Sequence, residues 1–183
     1  MLAARGPMSQ SIRKRQFQWL SQEKGTIIKG WSGRCSIALA YPNRYSVGMS
    51  NLGFQSVYGA FNALDEVVCE RVFYPEPEDP AGIKNCPGGL LSVETQTPLG
   101  HFDLIAFSIS FENDLPNVLR MLQLASIPLK FEERDATHPY VAAGGVAMFL
   151  NPEPIAPFMD FILIGEAEAL GAHFSVLVDL VMD

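Results

Sequence analysis

Small and polar residues that could contact a ligand recur wherever a short apolar run of this sequence ends. Serine and asparagine side chains can hydrogen-bond a bound molecule, and glycine lets the backbone approach one closely. A helix that begins just after such a run also offers free backbone N–H groups to phosphate or amide oxygens. The candidate ligand contacts are Ser50, Asn51, Ser108, Ser110, Gly144, Gly145, Gly165 and Glu166. These residue types are suited to binding a ligand, and no catalytic residue is predicted.

Each of these candidates also has a purely structural explanation. Gly144 and Gly145 could merely permit a tight turn, and Ser50 or Asn51 could cap a helix. Glu166 would complement the dipole at the start of a helix, and Glu168, two positions on, would diverge from it by about 200° around that helix. The interpretation as a binding site therefore depends on whether the fold brings these residues together.

The segment from Ser36 to Leu64 predicts the first structural unit. The apolar run Ile37–Tyr41 is too short for a helix and is typical of a buried strand, which Pro42 ends. A glycine-containing loop follows, and then a helix whose apolar residues recur at intervals of three and four. These residues are Phe54, Val57, Tyr58, Phe61 and Leu64. Strand, loop and helix of this kind begin a doubly wound α/β sheet, in which ligands bind at the carboxyl edge.

Further apolar runs predict the remaining strands and helices. The predicted strands are Val67–Phe73, Leu104–Ser110, Tyr140–Ala143 and Phe161–Ile164, with a possible short edge strand at Leu90–Val93. A helix is predicted from about Leu115 to Ala125, with Asp114 as its cap and Pro116 in its first turn, and another follows Gly165. This alternation predicts a mostly parallel sheet of about five strands, doubly wound and Rossmann-like.

Length and composition are typical of one globular domain with a small appendage. The chain has 183 residues, of which 48% are hydrophobic and 18% charged. We predict an N-terminal helical arm over residues 1–33, whose helix ends at Gly25, and a Rossmann-like domain over residues 34–183. Residues 74–89 form a long irregular segment, which is usually either functional or mobile in a compact domain.

Charge and hydropathy argue against two classes of partner. The net charge is −7 and no basic block is longer than Arg13–Arg15, so a nucleic-acid surface is not indicated. No apolar run reaches the roughly 18 residues of a membrane helix. Residues 1–9 lack the apolar core of a signal peptide. We therefore expect a cytoplasmic protein that does not bind membranes and that can take a small molecule as its ligand.

Familiar cofactor motifs are missing from the sequence. Gly48 and Gly53 have the spacing G-x-x-x-x-G, but Phe54 and Gln55 follow where a P-loop needs lysine and serine or threonine. No G-x-G-x-x-G follows a strand. The histidines and cysteines do not have metal-ligand spacing, so neither a metal site nor an iron–sulfur cluster is predicted for this chain itself. They are His101, His138, His173, Cys35, Cys69 and Cys86.

Several unusual strings, in order and with sensible spacing, resemble the amino-terminal region of a family of radical S-adenosylmethionine proteins. The strings are YPNRYSVGMSNLGFQSVYGAFN, CERVF, LLSVETQTPL, FDLIAFSISFENDLPNVLRMLQLASIPL and AAGGVAMFLNPEPIAPFMDFILIGEAEA, within residues 26–170. The resemblance implies a cobalamin-binding-like, Rossmann-type domain here. It also implies a radical S-adenosylmethionine domain beyond residue 183, in which C-x-x-x-C-x-x-C holds a 4Fe–4S cluster. This chain lacks that motif, so we expect an amino-terminal module that does not perform the radical reaction alone.

The resemblance leaves the cofactor open. Many cobalamin-binding domains carry D-x-H-x-x-G after the first strand, and its histidine binds cobalt, whereas residues 43–48 here contain no histidine. The resemblance thus implies cobalamin bound without a histidine lower ligand. Ser108, Ser110, Gly144 and Gly145 match places where the fold touches the nucleotide tail. The alternative is a domain without cofactor that positions a substrate or partner for the catalytic domain. A free-standing flavodoxin-like protein is a more distant possibility.

Overall fold

The fold is a doubly wound α/β sandwich built on one parallel sheet. The structure is a computed structural model that describes residues 7–77, 89–165 and 167–182. In this part of the chain the sheet has five strands in the order β2-β1-β3-β4-β5, and every neighbouring pair is parallel. The strands are β1 (Cys35–Tyr41), β2 (Val67–Phe73), β3 (Leu104–Ser108), β4 (Tyr140–Gly144) and β5 (Phe161–Ile162). This is the flavodoxin-like strand order, and the predicted fold class is confirmed.

Helices cover both faces of the sheet. The α-helices are α1 (Pro7–Gln22), α2 (Tyr45–Met49), α3 (Leu52–Ala63), α4 (Leu115–Leu124), α5 (Val146–Leu150) and α6 (Ala167–Met182). Short 3-10 turns occur at Leu99–His101, Glu112–Asp114, Phe131–Glu133 and Ala156–Phe158. Side chains alternate along a strand, so neighbouring residues of β1 lie on opposite faces of the sheet. Leu39 packs on the face covered by α3 and α6, and Ala40 packs on the face covered by α4. Both faces are buried, as expected of a parallel sheet.

Four local predictions differ from the structure. The loop after β1 contains the short helix α2. β3 and β5 end at Ser108 and Ile162, each two residues early. The strand predicted at Leu90–Val93 is wrong, since the described residues there form one antiparallel bridge, Leu91 to Pro98. These four residues are buried because they pack over the outer edge of β2, where the Val93 N–H donates to the Arg71 carbonyl at 2.8 Å.

The fourth difference concerns the start of α4. Asp114 precedes the helix but makes no side-chain capping bond, because it ends a 3-10 turn and already has helical backbone angles. Its Oδ1 instead accepts a hydrogen bond from Asn43 Nδ2 at 3.0 Å, which joins the segments after β1 and β3. Burial raises the pKa of the Asp114 carboxyl, and the bond from Asn43 opposes that rise.

The amino-terminal arm packs closely on the sheet domain. The Trp19 ring stacks on the Tyr45 ring of α2 with centroids 4.0 Å apart. Gly25 follows the end of α1 with a φ of +86°, a conformation that glycine adopts without strain. Lys29 Nζ donates to the carbonyls of Asn62, Leu64 and Val67 at 3.0, 2.6 and 2.8 Å, so its ammonium caps the carboxyl end of α3.

A buried arginine on β2 holds the arm in place. Arg71 pairs with Glu23, just after α1, and with Glu94, each at 2.6 Å. Burial alone would raise the pKa of Glu23, but hydrogen bonds from Tyr45 and Arg71 outweigh it, so the pKa lies below its ordinary value. Arg71 therefore links the arm, the outer strand and the segment that covers that strand.

Candidate functional site

A cleft of about 520 Å³ opens at the carboxyl edge of the sheet. It lies over β1, β3 and β4, between α3 and α6, on one face of the sheet. β1 and β3 are neighbours, and their connections leave toward opposite faces, which is the switch point where ligands bind in doubly wound sheets. The volume is within the usual range for a small-molecule site.

The floor of the cleft exists because two neighbouring strands carry alanine. Ala106 of β3 and Ala142 of β4 are paired in register and both line the cleft. Their methyl groups leave space that larger side chains would fill between α3 and α6. Phe61 of α3 and Phe174 of α6 also line the cleft and contact each other, with ring centroids 4.4 Å apart. The Leu39 side chain of β1 completes the apolar surface.

A small hydrogen-bonded cluster lies at the rim. Asn51 Nδ2 donates to Ser110 Oγ at 3.0 Å and more weakly to the Tyr41 hydroxyl at 3.4 Å, and that hydroxyl donates to Ser110 Oγ at 3.3 Å. Asn51 Oδ1 accepts from the Phe54 N–H at 2.9 Å, so Asn51, one of the two predicted caps, is the residue that caps α3. Because Ser110 Oγ accepts both bonds, its own proton stays available to a ligand.

Gly145 is required by the backbone between β4 and α5. Its φ is +103°, and a Cβ atom there would lie 2.5 Å from the Ile109 carbonyl oxygen. The Ile109 N–H also donates to the Gly144 carbonyl at 2.8 Å, so the chain after β3 packs directly on the chain after β4. Gly145 is therefore needed for the tight turn after β4, which is the structural explanation given for it above. Gly144 and Gly145 nevertheless both line the cleft.

The fold brings most of the candidate residues together. Those that line the cleft are Asn51, Ser108, Ser110, Gly144, Gly145 and Gly165. Ser50 is not among the lining residues, and its hydroxyl donates to the Val47 carbonyl at 2.8 Å. Glu166 lies outside the described residues. That a cofactor contacts these residues stays a prediction.

Sequence reasoning missed most of the apolar lining. The helical period predicts that Phe61 is buried, but such a period does not distinguish a core position from a cleft position, and Phe174 of α6 lines the cleft as well. Val146 and Phe149 belong to α5, which the sequence did not predict. No charged side chain is among the cleft-lining residues that the structure describes. The described lining therefore suits a neutral, largely apolar group with a few hydrogen bonds.

The described part of the chain shows neither a cluster of metal-ligating side chains nor a membrane-spanning helix. Among the side chains that the structure describes, no three or more histidine, cysteine, aspartate or glutamate residues are placed to hold a metal ion. None of the described helices is long and apolar enough to span a membrane.

The strand order and the position of the cleft define a doubly wound α/β domain with a cleft at its switch point. The family model for the N-terminal part of radical SAM proteins, which use S-adenosylmethionine, matches residues 53–181. That match covers well over half of the chain, so this protein belongs to the family. The predicted kinship with radical SAM proteins is confirmed at this level.

The comparisons also match this chain to part of a longer archaeal protein. It is 23% identical over 142 residues to an uncharacterized protein of Methanocaldococcus jannaschii, covering 78% of this chain and 26% of that protein. The chain thus spans about a quarter of this relative's length. No solved structure matches the chain.

Proposed function

We propose that this domain binds a small molecule in its switch-point cleft and presents it to a radical SAM domain in the same polypeptide. The observation that carries the proposal is the convergence of separate strand-end segments on one cleft. Asn51 follows β1, Ser110 follows β3 and Gly144 ends β4, and all three residues line the same space. In the proposed arrangement the C-terminal domain holds the 4Fe–4S cluster and S-adenosylmethionine. A cytoplasmic location stays a prediction of the sequence.

We further propose that the small molecule is a cobalamin, held without a histidine lower ligand. The residues fit one arm of that cofactor: the alanine floor suits a flat heterocyclic base, and the Ser108 and Ser110 hydroxyls suit polar atoms of the arm. A cleft of about 520 Å³ takes such an arm and leaves the corrin ring outside. No histidine is among the described lining residues, so the cleft offers cobalt no imidazole ligand. Cobalamin would supply a cobalt centre that can carry an alkyl group.

A second function is favoured by the neutrality of the cleft. Because no described lining residue is charged, the cleft suits an apolar part of a substrate as well as a cofactor arm. In that case the domain positions substrate for the radical SAM domain and binds no cofactor of its own.

A binding experiment separates the two functions. The purified chain is incubated with hydroxocobalamin and desalted, and its visible spectrum is recorded. We expect retained colour, and colour lost in the Val146→Trp variant, whose indole would fill the mouth of the cleft. The matched control is Leu150→Trp on the same helix, which is exposed and is not among the lining residues. A colourless wild-type protein with a flat calorimetric titration would remove the cobalamin proposal and leave the second function.

A further inference from the structure

Large apolar side chains are exposed along the carboxyl edge of the sheet. They follow β1, β3, β4 and β5, and their exposed fractions are between 51% and 79%. We call this set the apolar rim: Leu52, Phe111, Val146, Phe149, Leu150 and Ile164. Val146 and Phe149 also line the cleft, so the rim borders the mouth of the candidate site.

The other exposed apolar residues lie on several elements; among them Val47, which follows β1, is 37% exposed, and α6 carries three. They are Phe17 and Ile28 in the arm, Val47 in α2, Phe131 and Tyr140 near the amino edge, and Val176, Leu180 and Met182 on α6. Single exposed apolar residues are normal, whereas their concentration beside a cleft marks an interaction surface. The apolar rim is therefore a candidate interface.

We infer that the radical SAM domain of the same polypeptide covers the apolar rim and closes the cleft, an inference that rests on the proposed function. The family consists of N-terminal parts of radical SAM proteins, and this chain spans only 26% of the length of its archaeal relative. A tethered partner has a high effective concentration, so a modest apolar patch is enough to dock it. Docking here puts the partner's own site against the mouth of the cleft.

The charges beside the rim specify the partner's surface. Glu112 adjoins Phe111 and is exposed, and Glu153 is exposed just after α5. Arg44, exposed just after β1, lies 4.0 Å from Glu76, so the unpaired charges named here are the two carboxylates. The chain as a whole carries a net charge of −7. The complementary face is therefore apolar at its centre with lysine or arginine around it, since such carboxylates are best met by cations at the edge of an interface.

Radical footprinting of the full-length protein tests the inference with an internal control. Phe111, Phe149 and Phe131 share one side-chain chemistry, and their exposed fractions in this domain are 62%, 51% and 44%. An uncovered rim predicts that Phe111 is modified fastest and Phe131 slowest. A covered rim reverses that order, and we expect Phe111 to react about fivefold more slowly than Phe131, because an interface core excludes water. Phe111 reacting faster than Phe131 would overturn the inference.

Footprinting of the monomeric fraction distinguishes coverage by the tethered domain from coverage by a second copy of the protein. We expect the reversed order in protein shown by light scattering to be monomeric. Protection that appears only in a dimeric fraction would overturn the inference in favour of self-association.

A pair of charge variants of the full-length protein gives a second readout. Phe111→Glu introduces a carboxylate into the rim, and Phe131→Glu introduces the same group at the amino edge. Docking would bury the new carboxylate of Phe111→Glu, which weakens the docked state, so we expect proteolysis between the domains to be about tenfold faster in this variant. We expect Phe131→Glu to leave the rate unchanged. Equal rates in the two variants would contradict the inference. If wild-type protein binds no cobalamin but shows the reversed order, the proposed cofactor fails and the docking surface stands.

Discussion

Asn51 Nδ2 lies 3.0 Å from Ser110 Oγ, although 59 positions separate the two residues in sequence. The bond joins the start of α3, after β1, to the segment that follows β3, at the point where the two connections diverge. The same asparagine caps α3 through the Phe54 N–H. The Asn51 side chain thus caps the helix that lines one side of the cleft, and it also holds the segment of Ser110 in place.

Substitution of Asn51 separates these two roles. Asn51→Ala loses both, and we expect the free energy of unfolding to fall by about 1–2 kcal/mol, the usual cost of a lost helix cap and hydrogen bond. Asn51→Asp keeps an acceptor for the Phe54 N–H but has no amide proton for Ser110, so we expect near wild-type stability and weaker ligand retention. Urea unfolding and the desalting experiment measure the two effects. Equal stability of Asn51→Ala and Asn51→Asp would rule out the capping role.

The two glycines at the end of β4, Gly144 and Gly145, offer a matched comparison. Gly145→Ala places a Cβ 2.5 Å from the Ile109 carbonyl oxygen at a φ of +103°, so we expect it to lower the free energy of unfolding by about 1–3 kcal/mol. Gly144→Ala is the control, because its Cβ would lie in ordinary contact, 3.6 Å from Leu163. Chemical denaturation of both variants is the measurement. A destabilisation of Gly144→Ala as large as that of Gly145→Ala would contradict the backbone argument.

Lys29 connects the arm to the end of α3. Lys29→Met keeps the length of the side chain but removes donors from three carbonyls, so we expect the free energy of unfolding to fall by about 1–3 kcal/mol. Thermal unfolding should show a lower midpoint than in Lys24→Met, since Lys24 is exposed. The prediction fails if the two variants unfold at the same temperature.

The pairing of Glu23 with Arg71 predicts a dependence of stability on pH. The pKa of Glu23 is lower in the folded chain than its ordinary value of 4.5, so the contribution of Glu23 is complete above that value. It is lost as the pH falls through the lowered pKa of the folded state. We expect the stability difference between wild type and Glu23→Gln to be constant near neutral pH and to shrink in acid. Urea midpoints measured across this range test it, and a difference that grows in acid would have the wrong sign.

Local patterns in the sequence predicted the five strands and the longer helices, but not the short helices α2 and α5. β2 has the predicted bounds, β1, β3 and β4 differ from them by one or two residues, and α4 ends one residue earlier. These segments are long, apolar and bounded by turn residues, so their own composition determines their conformation. The sequence strings also identified the family that the comparison with known proteins supports.

The cleft itself depends on the tertiary structure. Ala106 and Ala142 make its floor only because β3 and β4 pair in one register, and Leu90–Val93 is buried by packing although it forms no strand. Arg71 likewise meets Glu23 and Glu94 only when the arm folds over β2. A sequence pattern reports that a residue is buried, whereas the partner that buries it depends on strand order, register and the path of distant segments. For this protein the strands and longer helices can therefore be predicted from the sequence, whereas the cleft forms only when these elements pack together.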